Sequence, residues 1–479
     1  MDPAEFRRHG HALVEWIAEY LAGSERYPVL SRVAPGELRR ALPAAAPERG
    51  ESFDAIVADF ERLIVPALTH WNHPGFFAYF AITASAPGVL AEFLAAALNQ
   101  QAMLWRTSPA ATELEEVTLG WLRDLMGLPP AFDGVIYDTA SVASLHALAA
   151  ARQAVVPGVR ERGLAGDGDA GTYRVYCSAH AHSSIDKAVI LLGLGHRALR
   201  RIPADDQFRM RADALGNAMT GDRAAGHTPL AVVATIGTTS TTSVDPVREI
   251  AAICRRENVW LHVDAAYAGP AAMLPGFRPL FEGWDQADSV VVNPHKWLFT
   301  PFDLSAFYCR RMDVLRAALA LVPDYLETTE GAEGVRNLMD TGVQLGRRFR
   351  ALKLWAVLRH FGADGIRAAL TEHIRLARLF SSWVEADPDF ELMAPVPFSV
   401  VCFRARPRGG PATPAEIDAI NQKVLDAVNA TGDVFLSHTR LDGRFVLRLA
   451  VGHLRTTETH VARAWELLQQ HAARLAATA

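Results

Sequence analysis

Residues 290–301 read "VVVNPHKWLFTP", which sets Lys296 and His295 inside a run of apolar side chains. A lysine at the end of a buried strand can snorkel its ammonium to solvent. If the amine is desolvated instead, its neutral form gains, and a neutral amine can condense with a carbonyl compound. Asp264 ends a second apolar run, "VWLHVDA". A carboxylate there needs backbone amides or a cationic partner, and a protonated ring nitrogen would serve as the latter. A third segment, "YDTASVASLHALAAAR", passes from a strand into a helix whose first turn offers Thr139, Ala140 and Ser141. Small side chains, hydroxyls and free N–H groups at a helix start suit a phosphate, while Ser141 also fits a plain N-cap. An amine for an aldehyde, a carboxylate for a ring nitrogen and a helix start for a phosphate match three ends of pyridoxal 5'-phosphate. His180 and His182 on extended chain offer a metal alternative, without a third ligand in an evident cluster.

These groups need a frame that brings them to one edge. Between about residues 130 and 310 the runs "GVIY", "RVYC", "AVVATIG", "VWLHVDA" and "SVVVNP" are continuously apolar, as strands covered on both faces should be. Between two of them, "DPVREIAAICRREN" spaces Val247, Ile250, Ala251 and Cys254 along one helical face, with Asp245 placed to cap and Pro246 at the first helical position. Strand and helix in alternation predict an α/β fold with a mostly parallel sheet, and ligands beyond the carboxyl ends of its strands. Asp264, Lys296, Thr238, Thr239 and His182 all follow strand runs.

Further on, "LGRRFRALKLWAVLRHFG" begins a long helix. A helix near residues 415–430, two strand-like runs around Asp442-Gly443 and a last helix then predict a smaller α+β domain. "RARPRGGPATPAE" reads as a surface loop within it. The N-terminal stretch is an amphipathic helix with Leu13, Ile17, Tyr20 and Leu21 on one face, not a signal peptide.

Composition excludes other classes. The 53 acidic and 48 basic residues form no basic stripe, so nucleic acid is not an expected partner. No segment approaches the ~18 apolar residues that span a bilayer, so neither is a membrane. Cys177, Cys254, Cys309 and Cys402 are scattered without a CxxC pair, which fits a reducing cytoplasm.

The segments "NPHKW", "HVDAAYAG", "VATIGTTSTTSVDP", "AHSSIDKA", "HPGFFAYF", "SPAATELE" and "LGRRFRALKLW" resemble, in order and spacing, the pyridoxal-phosphate-dependent group II decarboxylases, most closely the aromatic L-amino acid decarboxylases. The likeness covers nearly the whole chain. It implies an aspartate-aminotransferase-like fold (fold type I): an N-terminal segment (1–80) packing on a partner subunit, a large cofactor domain (81–352) with a seven-stranded sheet, and a small domain (353–479). It also implies a homodimer with active sites at the subunit interface. By matching position, Lys296 would bind the cofactor aldehyde, Asp264 would pair with the ring nitrogen, His182 would stack on the ring and Ala266 would lie on its other face. Thr139, Ala140, Ser141 and His295 would hold the phosphate, Thr239 would lie near the 3-hydroxyl or the substrate, and Ser289 would join the cofactor ligands.

The cofactor alone permits several reactions, so the protein selects the bond that breaks. The polar, Gly-containing "VPDYLETTEGAEGVRNLMDTGVQ" has the texture of an active-site lid, or of an exposed connection. Its Tyr325 matches the lid tyrosine that returns a proton to Cα after CO₂ leaves. Relatives that oxidise the amine to an aldehyde commonly replace this tyrosine or the stacking histidine. This chain keeps both, so the resemblance implies carboxy-lyase activity on an aromatic L-amino acid, a small-molecule substrate, without oxidation, and keeping Lys296 and Asp264 as well argues against a non-catalytic binding protein. Trp71, Tyr79 and Phe80 match an aromatic substrate pocket, and equally suit a core. Gly346 leaves room for a large ring. Gln101 and Met103 depart from the Ile and Phe of the animal enzymes, and Ala81 and Ile82 from the usual residues after "AYF". All are expected to shape the substrate pocket, Gln101 and Met103 from the neighbouring subunit.

Overall fold

Asp2 caps the first helix, Pro3–Gly23, by accepting the N–H groups of Ala4 and Glu5 at 2.8 Å. This computed structural model describes residues 1–164, 172–321, 335–406 and 413–476. They divide into two compact units, one of residues 1–81, 376–393 and 401–479, the other of residues 82–375 and 394–400.

In the first unit, β1 (Phe76–Phe77) pairs in parallel with β11 (Phe435–Leu441). With β9 (Phe390–Leu392), β10 (Val400–Ala405) and β12 (Arg444–Ala450) they form a sheet ordered β1-β11-β12-β10-β9. The anticipated Asp442-Gly443 turn joins β11 to β12, and both residues have positive φ (49° and 80°), as a two-residue hairpin loop requires. Helices Pro414–Thr431 and Glu458–Ala476 stand where helices were expected. Residues 1–81 share their unit with the C-terminal strands. The division anticipated at residue 352 falls inside the helix Ala351–Ala386, where the unit changes between Arg375 and Leu376.

In the second unit, β2 (Asp133–Tyr137), β3 (Tyr173–Ser178), β4 (Leu199–Ile202), β5 (Thr228–Thr235), β6 (Trp260–Asp264), β7 (Ser289–Val292) and β8 (Ser305–Cys309) form a seven-stranded sheet, ordered β2-β8-β7-β6-β5-β3-β4. β3 to β7 pair in parallel, while β8 runs antiparallel to both β2 and β7. The carboxyl ends of β2, β3, β5, β6 and β7 therefore open at one edge. Val232, Val263 and Val290 are fully buried in these strands, and each such side chain contributes ~1.5–3 kcal/mol of burial. The helix Ala140–Val155 packs on the sheet through Ala143, Ala147, Ala150 and Ala151, whose small side chains allow close approach.

Two local expectations change. Asp245 does not cap the helix Val247–Glu257: its carboxylate instead accepts the N–H groups of Met210 at 2.7 Å and Thr235 at 2.8 Å. The helix itself buries Val247, Ile250, Ala251 and Cys254, as the periodicity requires. The long helix starts at Ala351 rather than within "LGRR", because the backbone of Arg347 is engaged elsewhere: its N–H donates to Gln101 Oε1 (2.7 Å) and its carbonyl accepts the Ala102 N–H (2.9 Å). Among the described residues no helix is long and apolar enough to cross a membrane.

Candidate active site

Strand ends and the turns after them supply the site. β7 stops at Val292, and Pro294 starts the short helix Pro294–Trp297 that carries Lys296. The Lys296 N–H closes this turn on the Asn293 carbonyl at 2.9 Å. On either side of Lys296, His295 and Trp297 are buried anchors. Trp297 stacks on Tyr267 at 4.8 Å and donates its ring N–H to His373 at 3.0 Å. With its neighbours fixed, Lys296 is the half-buried residue of the turn.

On the adjacent strand, Asp264 is 6% exposed and in register with Val291 of β7. One of its oxygens accepts the Ala266 N–H at 3.1 Å, and the Ala266 carbonyl accepts the Asn293 N–H at 3.0 Å. Ala266 thereby ties the end of β6 to the turn that carries Lys296. The second oxygen of Asp264 has no hydrogen bond within the described residues, so a buried carboxylate keeps capacity for a donor that the described residues do not supply.

His182 follows β3. The Ser184 N–H donates to its Nδ1 at 3.1 Å, with Ser184 Oγ 3.0 Å from the same nitrogen. An accepting Nδ1 leaves the proton of the neutral ring on Nε2. Burial holds this imidazole below its ordinary pKa; Asp264 draws it upward and Lys296 pushes it down. The three groups therefore share one electrostatic space. Ser184 was not singled out in the sequence, although a serine two residues after a histidine is the available signal. The His180 ring stands edge-on to Phe208 at 5.3 Å.

Thr139 occupies the N-cap position of the helix Ala140–Val155, which settles against Ser141 as the cap. The Thr139 N–H and hydroxyl turn to Asp138 at 2.6 and 3.2 Å, and its carbonyl accepts from Val142 and Ala143. No described side chain caps the helix, and the N–H groups of Ala140 and Ser141 precede the first intrahelical bonds, so they face outward as anion donors. His295 accepts the Leu304 N–H on Nδ1 at 2.9 Å, and burial, with Lys296 beside it, pushes its pKa down to about 3. Its neutral ring presents Nε2–H. Thr239 is exposed after β5, beside the buried Thr238.

Other expected residues lie apart. Ser289 is a correction: it opens β7 at the amino edge, fully buried, and its hydroxyl contacts Trp260 Nε1 (3.0 Å) and His262 Nδ1 (2.9 Å). A hydroxyl committed inside the core is unavailable to a ligand at the carboxyl edge. Trp71, Tyr79 and Phe80 belong to the other unit. Trp71 stacks on Phe76 at 4.4 Å and lies parallel to Tyr79 at 6.0 Å, while Phe80 is buried beneath the Arg448 guanidinium. Tyr79 takes a positive φ of 51°, a strained position for a bulky residue, held where its N–H meets Ser437 Oγ at 3.1 Å. Gln101 and Gly346 adjoin: a Cβ at residue 346 would meet Gln101 Nε2 at 3.3 Å. Met103 is half-buried beside Leu104 and Met339, and its carbonyl accepts the Met339 N–H at 3.1 Å. The buried Arg347–Glu115 ion pair at 2.8 Å fixes this segment to β2 through the Ile136 carbonyl. Tyr325 and residues 322–334 of the anticipated lid lie outside the described residues.

The donor set fits pyridoxal phosphate: a half-buried amine, a buried carboxylate with an unspent oxygen, and a helix start with outward N–H groups. The pyridoxal-dependent decarboxylase conserved domain matches residues 35–406. The chain belongs to this family. An aromatic-L-amino-acid decarboxylase of Sus scrofa is 41% identical, covering 100% of this chain and 98% of that protein. A phenylacetaldehyde synthase of a Rosa hybrid cultivar is 38% identical, covering 100% and 96% respectively. The structure of Oryza sativa TDC with PLP and tryptamine superposes with a TM-score of 0.95 at 37% identity, covering 99% of each chain. This pyridoxal-dependent decarboxylase is thus a pyridoxal-phosphate-dependent carboxy-lyase of fold type I.

Proposed function

We propose that the enzyme decarboxylates an aromatic L-amino acid to the arylalkylamine and CO₂. The observation that carries this reading is the partly exposed Trp71 and Tyr79, whose parallel rings form an aromatic surface that the unit itself leaves uncovered. Tryptophan, 5-hydroxytryptophan, DOPA, tyrosine and phenylalanine are the candidate substrates. Phe80 in the same unit, and Gln101, Met103 and Gly346 in the other, are the further candidate substrate residues, and the bare Gly346 favours a wide ring.

When bound, the cofactor supplies an electron sink for the pair released as the Cα–carboxyl bond breaks. The Lys296 amine holds its carbonyl carbon, and Asp264 holds a proton at the ring nitrogen. His182 and Ala266 confine the ring, and Thr139, Ala140, Ser141 and His295 grip the phosphate, with Thr239 near the 3-hydroxyl. Tyr325 returns a proton to Cα and keeps water out. Retention of His182 with its Nε2 proton favours the amine over an oxidised aldehyde.

The test assays a panel of aromatic and acidic amino acids, measuring CO₂, amine and hydrogen peroxide together. Equal yields of amine and CO₂ from aromatic substrates are expected, and in Tyr325→Phe the amine-to-CO₂ ratio should fall while peroxide rises. Peroxide and ammonia in place of amine from the unaltered enzyme would make it an aldehyde synthase, and turnover of acidic substrates alone would end the aromatic reading.

The working state is a homodimer in a reducing cytoplasm. Leu90, Phe93, Leu94 and Leu98 on the helix Ala86–Leu98 are all more than half exposed on one stripe, and Val117 and Trp121 on Pro109–Met126 add to the uncovered apolar area. The cysteines are all free and buried. The stripe is the proposed contact with a second copy, which the N-terminal helix also joins, and a monomer with full activity in sedimentation would rule it out.

A further inference from the structure

Beneath the carboxyl edge of the sheet a buried polar chain serves no evident surface or substrate role. Its centre is His262 on β6, two residues before Asp264 and on the same face of the strand. His262 Nδ1 lies 2.9 Å from the hydroxyl of Ser289 on β7, which also receives the Trp260 ring N–H at 3.0 Å. On the other side, His262 Nε2 lies 3.4 Å from the hydroxyl of Ser144, one turn into the helix Ala140–Val155. His262, Ser289 and Ser144 are each 0% exposed, and Trp260 is 3% exposed.

The elements linked this way are those that carry the three cofactor-binding groups. β6 ends in Asp264, β7 leads into the Lys296 turn, and the helix begins at the Thr139–Ser141 turn. We infer that His262 is a positioning residue for the cofactor, fixing the spacing of these three elements through Ser289 and Ser144. Burial pushes the His262 pKa down to about 4, so the ring is neutral at physiological pH and can donate from one nitrogen while accepting at the other, one serine on each side. An apolar side chain would fill the same space while taking the imidazole partner from both hydroxyls, leaving Ser289 only the Trp260 ring N–H. A satisfied polar chain sets a geometry that apolar packing does not, since its partners are acceptable at only a few distances and angles.

The chain touches neither cofactor nor substrate, so its effect should appear in cofactor retention before anything else. The test compares His262→Leu and His262→Gln holoenzymes with the unaltered protein. Cofactor release on dilution is followed by the visible absorption band, and the melting temperature is taken on the same samples in saturating pyridoxal phosphate. In His262→Leu, retention should weaken about tenfold, the scale seen when groups that orient a site's ligands are lost, with little change in melting temperature. His262→Gln, which can still donate to one serine and accept from the other, should restore most of it. Unchanged retention in His262→Leu would overturn the inference. So would equal loss of retention in both variants, in step with their melting temperatures, because His262 would then only stabilise the fold. If His262→Leu does not fold, Ser144→Ala and Ser289→Ala carry the test: each should weaken retention without lowering the melting temperature, and normal retention in both would refute the link. None of these readouts depends on which amino acid is the substrate.

Discussion

Two buried carboxylates on neighbouring stretches of one sheet edge differ in what they have left to give. Asp245, in the turn region after β5, is 1% exposed, and its oxygens accept the N–H groups of Met210 and Thr235. Asp264, at the end of β6, is 6% exposed and accepts one N–H, from Ala266. Burial alone does not distinguish a site from a structural tie. Unspent hydrogen-bonding capacity facing other functional groups does, and Asp264 has it, with the charges of Asp264 and Lys296 both felt at His182.

The largest expected effect lies with the amine beside Asp264. Lys296→Ala should abolish CO₂ release at neutral pH while leaving circular dichroism unchanged, and borohydride reduction of the unaltered holoenzyme should place a pyridoxyl adduct on the Lys296 peptide. An adduct elsewhere would move the chemistry away from the Asp264 edge. Next comes Asp264→Asn, which should lower the rate of CO₂ release by about 10²–10⁴-fold, the range of a lost proton-holding group, with the protein folded. Near-normal turnover would show that Asp264 is as structural as Asp245.

The smallest effect belongs to Asp245→Asn. Turnover should persist, while stability should fall by about 1–3 kcal/mol, because the amide can offer only one acceptor oxygen to the two N–H groups. Burial raises the Asp245 pKa from 3.8 to about 7 against the pull of these two donors. The sign follows from linkage: with its folded pKa above the unfolded value, the carboxyl contributes stability that is fully present below the unfolded pKa of 3.8 and is lost as pH rises through about 7. Melting temperatures between pH 4 and 8 should therefore fall less steeply with pH in Asp245→Asn than in the unaltered protein. A parallel pair of curves would mean that Asp245 is already ionised throughout that range, and a loss of turnover with stability intact would make it part of the site.

The strands were legible because a segment buried on both faces must be apolar at every position, which "SVVVNP" and "AVVATIG" display without help from the rest of the chain. Lys296, Asp264 and the Thr139–Ser141 turn were legible for the opposite reason, since polar groups ending such runs stand out against them. The sequence by itself thus determined the mostly parallel sheet, the edge at which the candidate site residues stand and the residue types gathered there. The partner of each polar group was decided by tertiary structure. Asp245 stood where a helix cap would stand, yet its oxygens meet the Met210 N–H, 35 residues away. Ser289 was expected at the cofactor and lies under His262 at the opposite end of its strand. Residues 1–81 share a unit with strands more than 300 positions further along, through the pairing of Phe76 with Phe435. Local sequence sets backbone preference and burial, but a hydrogen bond is assigned to whichever donor the folded chain brings within about 3 Å, and that depends on the packing of elements distant in sequence.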